Sequence, residues 1–320
     1  MRIRIHSTKF LQYDKERVIN LKYIVKYMYV RLSNVFFKTL YRLYRPNFER
    51  KKYYSTICAI FKNEGTYLKE WVEYNKLIGI DHIYLYNNNS TDNYLEVLAP
   101  YLQDKYITLK DWTRNQAQME AYVDCIESFS GEANWIGFID LDEFIVPIHN
   151  NNMKDFLERF EQRPAVKIYW KLFGTSGLEN RDRDGLVIED FNSCWEKLVE
   201  TGKCFYNTAY AFDYSKTAGL HHNLWTIIGN IHTPPVNCFD RISQKEYEFL
   251  PSANVDIQIN HYFTKSYSEY IEKSAKGDVY FEQNPHNLDY FYRHEMMCVS
   301  SDHKIAKYII KLKRAMQERK

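Results

Sequence analysis

The strongest constraint on this chain is a pattern that recurs between residues 53 and 143. A short apolar run, rich in β-branched or aromatic residues, ends in polar residues and is followed by a helix-like stretch. STICAIF (55–61) is closed by Lys62-Asn63-Glu64-Gly65. A helix is expected over 67–77, with Leu68, Trp71, Val72 and Tyr74 on one side and Gly79 as its stop. HIYLY (82–86) leads into Asn87-Asn88-Asn89-Ser90-Thr91-Asp92, and a helix-like stretch with Leu95, Val97 and Leu98 is expected to end before Pro100. YITLKDW (106–112) carries Asp111 near its end, residues 116–129 read as helix, and WIGFID (135–140) runs into Asp140-Leu141-Asp142-Glu143. Strands alternating with helices imply right-handed crossovers and a mainly parallel α/β sheet. Ligands of such sheets bind at the carboxyl ends of the strands, where each run here places its polar residues.

Outside this region the charge distribution is informative. The net charge is only +2, yet residues 1–52 hold fourteen Lys/Arg against three Asp/Glu. The first 52 residues are therefore a basic arm on a mildly acidic body, and their expected partner is an anionic surface. No nucleic-acid motif accompanies them, which favours a membrane. Residues 15–45 read as helix, ending before Pro46, and fit either a membrane surface or packing on the body. The start lacks the apolar core of a signal peptide, and no run approaches the ~18 apolar residues of a membrane span. The six cysteines are widely spaced, with no CxxC pair. These features predict a cytoplasmic protein with free thiols, peripheral on the inner face of the membrane. The expected organisation is a basic helical extension (1–52), a catalytic domain (53–265) and a helical C-terminal segment (266–320).

Asp140-Leu141-Asp142-Glu143 is the strongest chemical signal. Carboxylates crowded at a partly buried strand end repel one another and lose hydration. A divalent cation relieves both, and hard oxygen ligands suit Mg²⁺ or Mn²⁺ shared with substrate phosphates. The bland alternative is a set of acids that cap a turn or form salt bridges. Lys62-Asn63-Glu64-Gly65 leads into a helix N-terminus, which can hold a nucleotide or be no more than an Asn cap. The Asn87–Asp92 turn needs no function to explain it.

KNEGTYLKEWVEYNKLIGIDHIYLYNNNSTD, QMEAYVDC, ANWIGFIDLDEFIVP, WKLFGTSG and INHYFTKSYSEYIEKSAKG, in that order, resemble glycosyltransferase family 92 and echo family 2 transferases over roughly residues 53–280. The resemblance implies a GT-A fold, a nucleotide-sugar donor, UDP-linked, and inverting transfer to a glycan or lipid-linked hydroxyl. It also implies a divalent metal, Mn²⁺ or Mg²⁺. Carried across, Asp140 and Asp142 match the metal motif, with His261 as a further ligand and His232 as the alternative. Asn63, Glu64, Asn88, Ser90, Asp92 and Gln118 fall on the donor side, although Asn stands where family 2 often has an acid in the turn. Lys265 and Lys273 are candidates for phosphate oxygens, and a solvated face is the plain reading of Lys273. Trp170, Phe173 and the Gly174–Gly177 loop are candidates for the acceptor side.

An inverting transfer needs a general base. Glu189 is the first candidate because GLVIE reads as a strand that aims it inward, and Asp190 is the second. Other readings fit less well. A HAD-like phosphatase places its Asp-x-Asp on the first strand, whereas three strands precede it here. A glycoside hydrolase uses carboxylates ~5–10 Å apart, usually on separate elements. A non-catalytic membrane-surface protein would rest on the basic arm alone.

Overall fold

The computed structural model describes residues 21–115, 117–149, 152–243, 255–275 and 287–318, together with the backbone of 4–5 and 17–18. Helix α1 spans Leu21–Leu43. The recurring pattern then yields β1 (Tyr53–Phe61), α2 (Gly65–Leu77), β2 (His82–Asn87), α3 (Tyr94–Gln103), β3 (Ile107–Asp111), α4 (Gln118–Phe129) and β4 (Ala133–Phe138). After it come β5 (Glu143–Pro147), β6 (Ala165–Leu172), β7 (Gly202–Asn207), β8 (Val236–Asn237) and β9 (Ile257–His261). Helices α5 (Tyr267–Ala275), α6 (Leu288–Met296) and α7 (Ile309–Glu318) follow.

The nine-stranded sheet runs β3-β2-β1-β4-β7-β6-β9-β5, with β8 added to β6. β1 to β4 pair in parallel, as their helical crossovers require. β7 is inserted antiparallel between β4 and β6, and β9 lies parallel to β6 and antiparallel to β5. The uniform apolarity of β1 has a geometric cause. Alternate residues face opposite sides, so Ile57, Ala59 and Phe61 join the core under α2, while Cys58 and Ile60 join a second core with Tyr122 and Cys125 of α4. Gly202 permits the close approach of β7 to β6, because a Cβ there would lie 1.9 Å from the Ile168 carbonyl oxygen. All six cysteines are free.

Three expected elements differ. The helix expected over 15–45 begins at Leu21 among the described residues. α3 continues through Pro100 to Gln103, since Leu98 and Tyr101 bury against the core on either side of it. GLVIE is not a strand: Val187–Asp190 form a single helical turn, whose first N–H groups Val187 and Ile188 donate to the buried Glu70 carboxylate at 2.8 and 3.1 Å. A side chain from α2 thus overrides the β-branched local preference.

Candidate active site

The acidic cluster occupies the reversal between β4 and β5. The β9–β5 ladder brings residue 261 beside it, with His261 in register with Glu143 and Tyr262 N–H donating to the Asp142 carbonyl at 2.8 Å. Asp142 Oδ1 lies 3.5 Å from His261 Nε2, and Asp142 Oδ2 lies 2.5 Å from Lys273 Nζ of α5. Burial pushes the Asp142 carboxyl up, but Lys273, His261 and Lys265 outweigh it and hold this group well below the usual carboxylate range. Asp142 is therefore an anion at any pH near neutral.

Asp140 is held differently. Its Oδ1 accepts from Gln118 Nε2 at 3.2 Å and Tyr122 OH at 3.1 Å, and its Oδ2 accepts from Lys203 Nζ at 2.6 Å. Glu143, fully buried, accepts from the Asp140 backbone N–H at 3.0 Å, and its second oxygen lies 3.6 Å from Lys203. Burial raises the Glu143 carboxyl well above its ordinary range against the pull of Lys203. Burial alone would lower the Lys203 ammonium; Asp140 and Glu143 instead hold it up. Lys203 was not apparent as a site residue. The signal that could have found it is a lysine inside an apolar strand, GKCFYN, because a lysine buried there needs a carboxylate partner.

Lys265 sits in the left-handed region at φ 50°, buried, with its ammonium 4.2 Å from the centre of the Tyr67 ring. Burial lowers its pKa against the opposing charge of Glu64. A non-glycine residue held at positive φ beside a charged cluster is strain of the kind found at functional sites. Trp170 of β6 packs on His261 with ring centres 4.5 Å apart. Two enclosed polar atoms at this contact, Trp170 Nε1 and His261 Nδ1, have no hydrogen-bond partner among the described residues.

The polar turns after β1 and β2 hold each other. Asn63 N–H donates to Ser90 Oγ at 2.9 Å, Thr91 N–H to Asn63 Oδ1 at 2.7 Å, and Gly65 N–H to Asp92 Oδ2 at 2.7 Å. Asn88 Nδ2 donates to the Trp112 and Arg114 carbonyls, both at 2.7 Å. The side chains of Asn63, Asn88, Ser90 and Asp92 therefore shape the rim of the sheet, whereas Glu64 lies in the field of Lys265 and Lys273. His232 lies in a separate three-stranded sheet with Nδ1 2.6 Å from Asp213. Glu189 pairs with Lys313 at 2.5 Å, and Asp190 with Arg181 at 2.7 Å. Neither of these acids touches the Asp140–Asp142 cluster through those contacts.

Asp142 and His261 are the two candidate metal ligands that face each other, with the second Asp142 oxygen held by Lys273. Asp140 is already engaged by Lys203, Gln118 and Tyr122.

Helices on both faces of a curled, mainly parallel sheet, with acids and cations gathered at its carboxyl end, define an α/β protein of the GT-A type. The chain belongs to glycosyltransferase family 92, whose sequence profile matches residues 51–224. It is 28% identical over 148 residues to a family 92 protein of Oryza sativa subsp. japonica, a match covering 45% of this chain and 25% of that protein. It is 25% identical over 253 residues to the beta-1,4-galactosyltransferase galt-1 of Caenorhabditis elegans, covering 71% and 52%. The chain thus spans about a quarter of the rice relative's length and about half of galt-1. Among solved structures, S. aureus TarS 1–349 in complex with UDP-GlcNAc aligns at 14% identity over 63% of this chain and 62% of that one. Its TM-score of 0.35 is too low to identify a fold by itself.

Proposed function

We propose that the protein transfers a sugar from a UDP-linked donor to a hydroxyl of a glycan or lipid-linked acceptor, with inversion, using a divalent metal. The observation that carries this reading is the Asp142 carboxylate, held ionised at the sheet's carboxyl end between Lys273 and His261. Mn²⁺ or Mg²⁺ held by Asp142 and His261, with Asp140 as a further candidate ligand, would supply positive charge against that developing on the departing diphosphate.

The chain's own groups do the rest. Lys273 and Lys265 bind phosphate oxygens and orient the diphosphate. Glu64 offsets part of the lowering that burial imposes on Lys265. Lys203 fixes Asp140 and Glu143 beneath the site. The Trp170 and His261 rings form a wall for the sugar or acceptor. The acceptor hydroxyl's oxygen bonds to the anomeric carbon as the carbon–oxygen bond to the diphosphate breaks. That bond's electron pair leaves with the diphosphate, and the hydroxyl's proton passes to solvent, since Glu189 and Asp190 are paired with Lys313 and Arg181. Galactose is the first donor sugar to test, because two relatives carry galactosyltransferase names.

Donor turnover across a panel of UDP-sugars is the direct test. Asp142→Asn should abolish transfer without changing the melting temperature. EDTA should stop the wild-type protein and Mn²⁺ restore it. Full activity of Asp142→Asn would remove the basis of the reading, and full turnover in metal-free buffer would remove the metal from it.

A further inference from the structure

Helix α1 has three distinct faces. One packs on the body: Val30, Ser33 and Tyr41 are buried, the Tyr41 hydroxyl donates to the Pro234 carbonyl at 2.6 Å, and Asn34 Oδ1 accepts from Ile242 N–H at 2.9 Å. A second face is apolar and open to solvent. Val25, Met28, Leu32, Val35, Phe36 and Leu43 are each between 52% and 76% exposed. At about 100° per residue they fall in one arc roughly 100° wide. The third face is basic and adjoins the second. Arg31, Lys38 and Arg42 stand four residues before, three after and seven after Val35, so all three border it on the helix surface.

The basic face also forms a cavity. Lys38, Arg42, Arg45, Gln162 and Arg163 line a hollow of about 380 Å³. Asp240 is the acid paired with this group, bonding Lys38 at 2.8 Å and Arg163 at 2.5 Å. Four cations thus gather around one carboxylate, beside a contiguous exposed apolar strip of the kind that marks an interaction surface. Among the described residues no helix is long and apolar enough to cross a membrane.

We propose that α1 docks the protein flat on an anionic lipid bilayer, its apolar strip in the acyl boundary and the Lys38–Arg42–Arg45–Arg163 hollow on a lipid phosphate. Charge selects this occupant. A second copy of the chain would cover the strip but bring two cationic rims together, whereas anionic lipid satisfies both faces at once. The inference is independent of the sugar-transfer reading.

The test is flotation of the full-length chain with phosphatidylcholine vesicles, with and without phosphatidylglycerol. The protein should float with the anionic vesicles, weakly or not at all with the neutral ones, and should not be released by inorganic phosphate alone. Leu32→Asp with Val35→Asp, and separately Arg42→Glu with Arg45→Glu, should each weaken binding by about tenfold or more. Both pairs are exposed, so melting temperature and turnover of a soluble acceptor should not move. Failure to float with anionic vesicles would overturn the proposal. So would sedimentation equilibrium showing a dimer that Leu32→Asp dissociates while vesicle binding is unaffected, which would assign the strip to a second copy. Release by inorganic phosphate would reduce the hollow to a free-phosphate site.

Discussion

Lys203 Nζ lies 2.6 Å from Asp140 Oδ2, and this lysine side chain has no exposed surface. It also reaches within 3.6 Å of the fully buried Glu143. A strand lysine on β7 and two acids from the β4–β5 reversal therefore neutralise one another across an antiparallel pair of strands. Part of the charge crowding that a metal was expected to relieve is relieved by the protein itself.

Removing this lysine should be costly. Lys203→Met leaves Asp140 and Glu143 without their cation, and breaking a buried pair from one side typically destabilises by about 3–5 kcal/mol. Adding Glu143→Gln should change this little, because burial already favours the neutral form of that carboxyl and the uncompensated charge is that of Asp140. Urea denaturation of the two variants measures both effects. A Lys203→Met protein as stable as wild type would mean the buried charges are neutralised some other way.

Trp170 tests the ligand wall. Its Nε1 is enclosed and unpaired among the described residues, while its ring contacts His261 at 4.5 Å and His222 at 5.1 Å. An unpaired buried donor normally weakens a fold, so removing it should cost the fold nothing, and a change in substrate binding would show that a ligand oxygen reaches it. Trp170→Phe keeps much of the ring contact and removes the donor. Stability should hold or rise slightly, while the KM for donor or acceptor rises roughly tenfold, the worth of one hydrogen bond. Unchanged KM for both substrates would return Trp170 to a packing role.

Glu70 gives a pH signature. Burial lifts its carboxyl from 4.5 to about 7, against the hydrogen bonds from Val187 and Ile188. The folded state thus holds this proton more tightly than the unfolded state. The group's contribution is fully favourable below about 4.5 and is lost as pH rises through about 7. Glu70→Gln removes that titration, so the variant should gain on wild type between pH 5 and pH 8, by up to roughly 3 kcal/mol. The comparison must be made against wild type at each pH. His82 and His222, lowered by burial to about 4 and about 3, work the other way and destabilise both proteins as pH falls below the histidine range. An identical difference at pH 5 and pH 8 would show that Glu70 titrates normally.

The parallel half of the sheet was legible because its signals are local. Each strand from β1 to β4 carries its own apolar run, and each ends where a polar turn begins. The positions of Asp142 and His261 at the ends of apolar runs were legible for the same reason, and the structure sets the two side by side. The partners of Asp140 were not: Lys203 stands 63 positions away on a strand whose pairing no local pattern announces. Lys273 read as a solvated helix residue because its contact with Asp142 spans 131 positions. GLVIE was misread as a strand because the groups that decide its shape, the Glu70 oxygens, lie 117 and 118 positions away.

The same long-range logic assigns Asp92 a role that its motif position hides. α2 begins at Gly65, and Glu64, at its cap position, offers no side-chain bond to the helix. Asp92, from the turn after β2, supplies that bond instead, accepting from Gly65 N–H at 2.7 Å. The fit is close, since a Cβ on residue 65 would come within 2.9 Å of the same Asp92 oxygen and 2.6 Å of Asn93 Oδ1. One carboxylate thereby caps a helix, meets its positive end and ties two rim turns together. Asp92→Ala should lower stability by about 1–2 kcal/mol and loosen the rim, raising donor KM more than it lowers kcat. Asp92→Asn should do less on both counts, because an amide oxygen can still accept from Gly65. If Asp92→Ala keeps wild-type stability but abolishes kcat, the residue acts on the reacting groups and not on the rim.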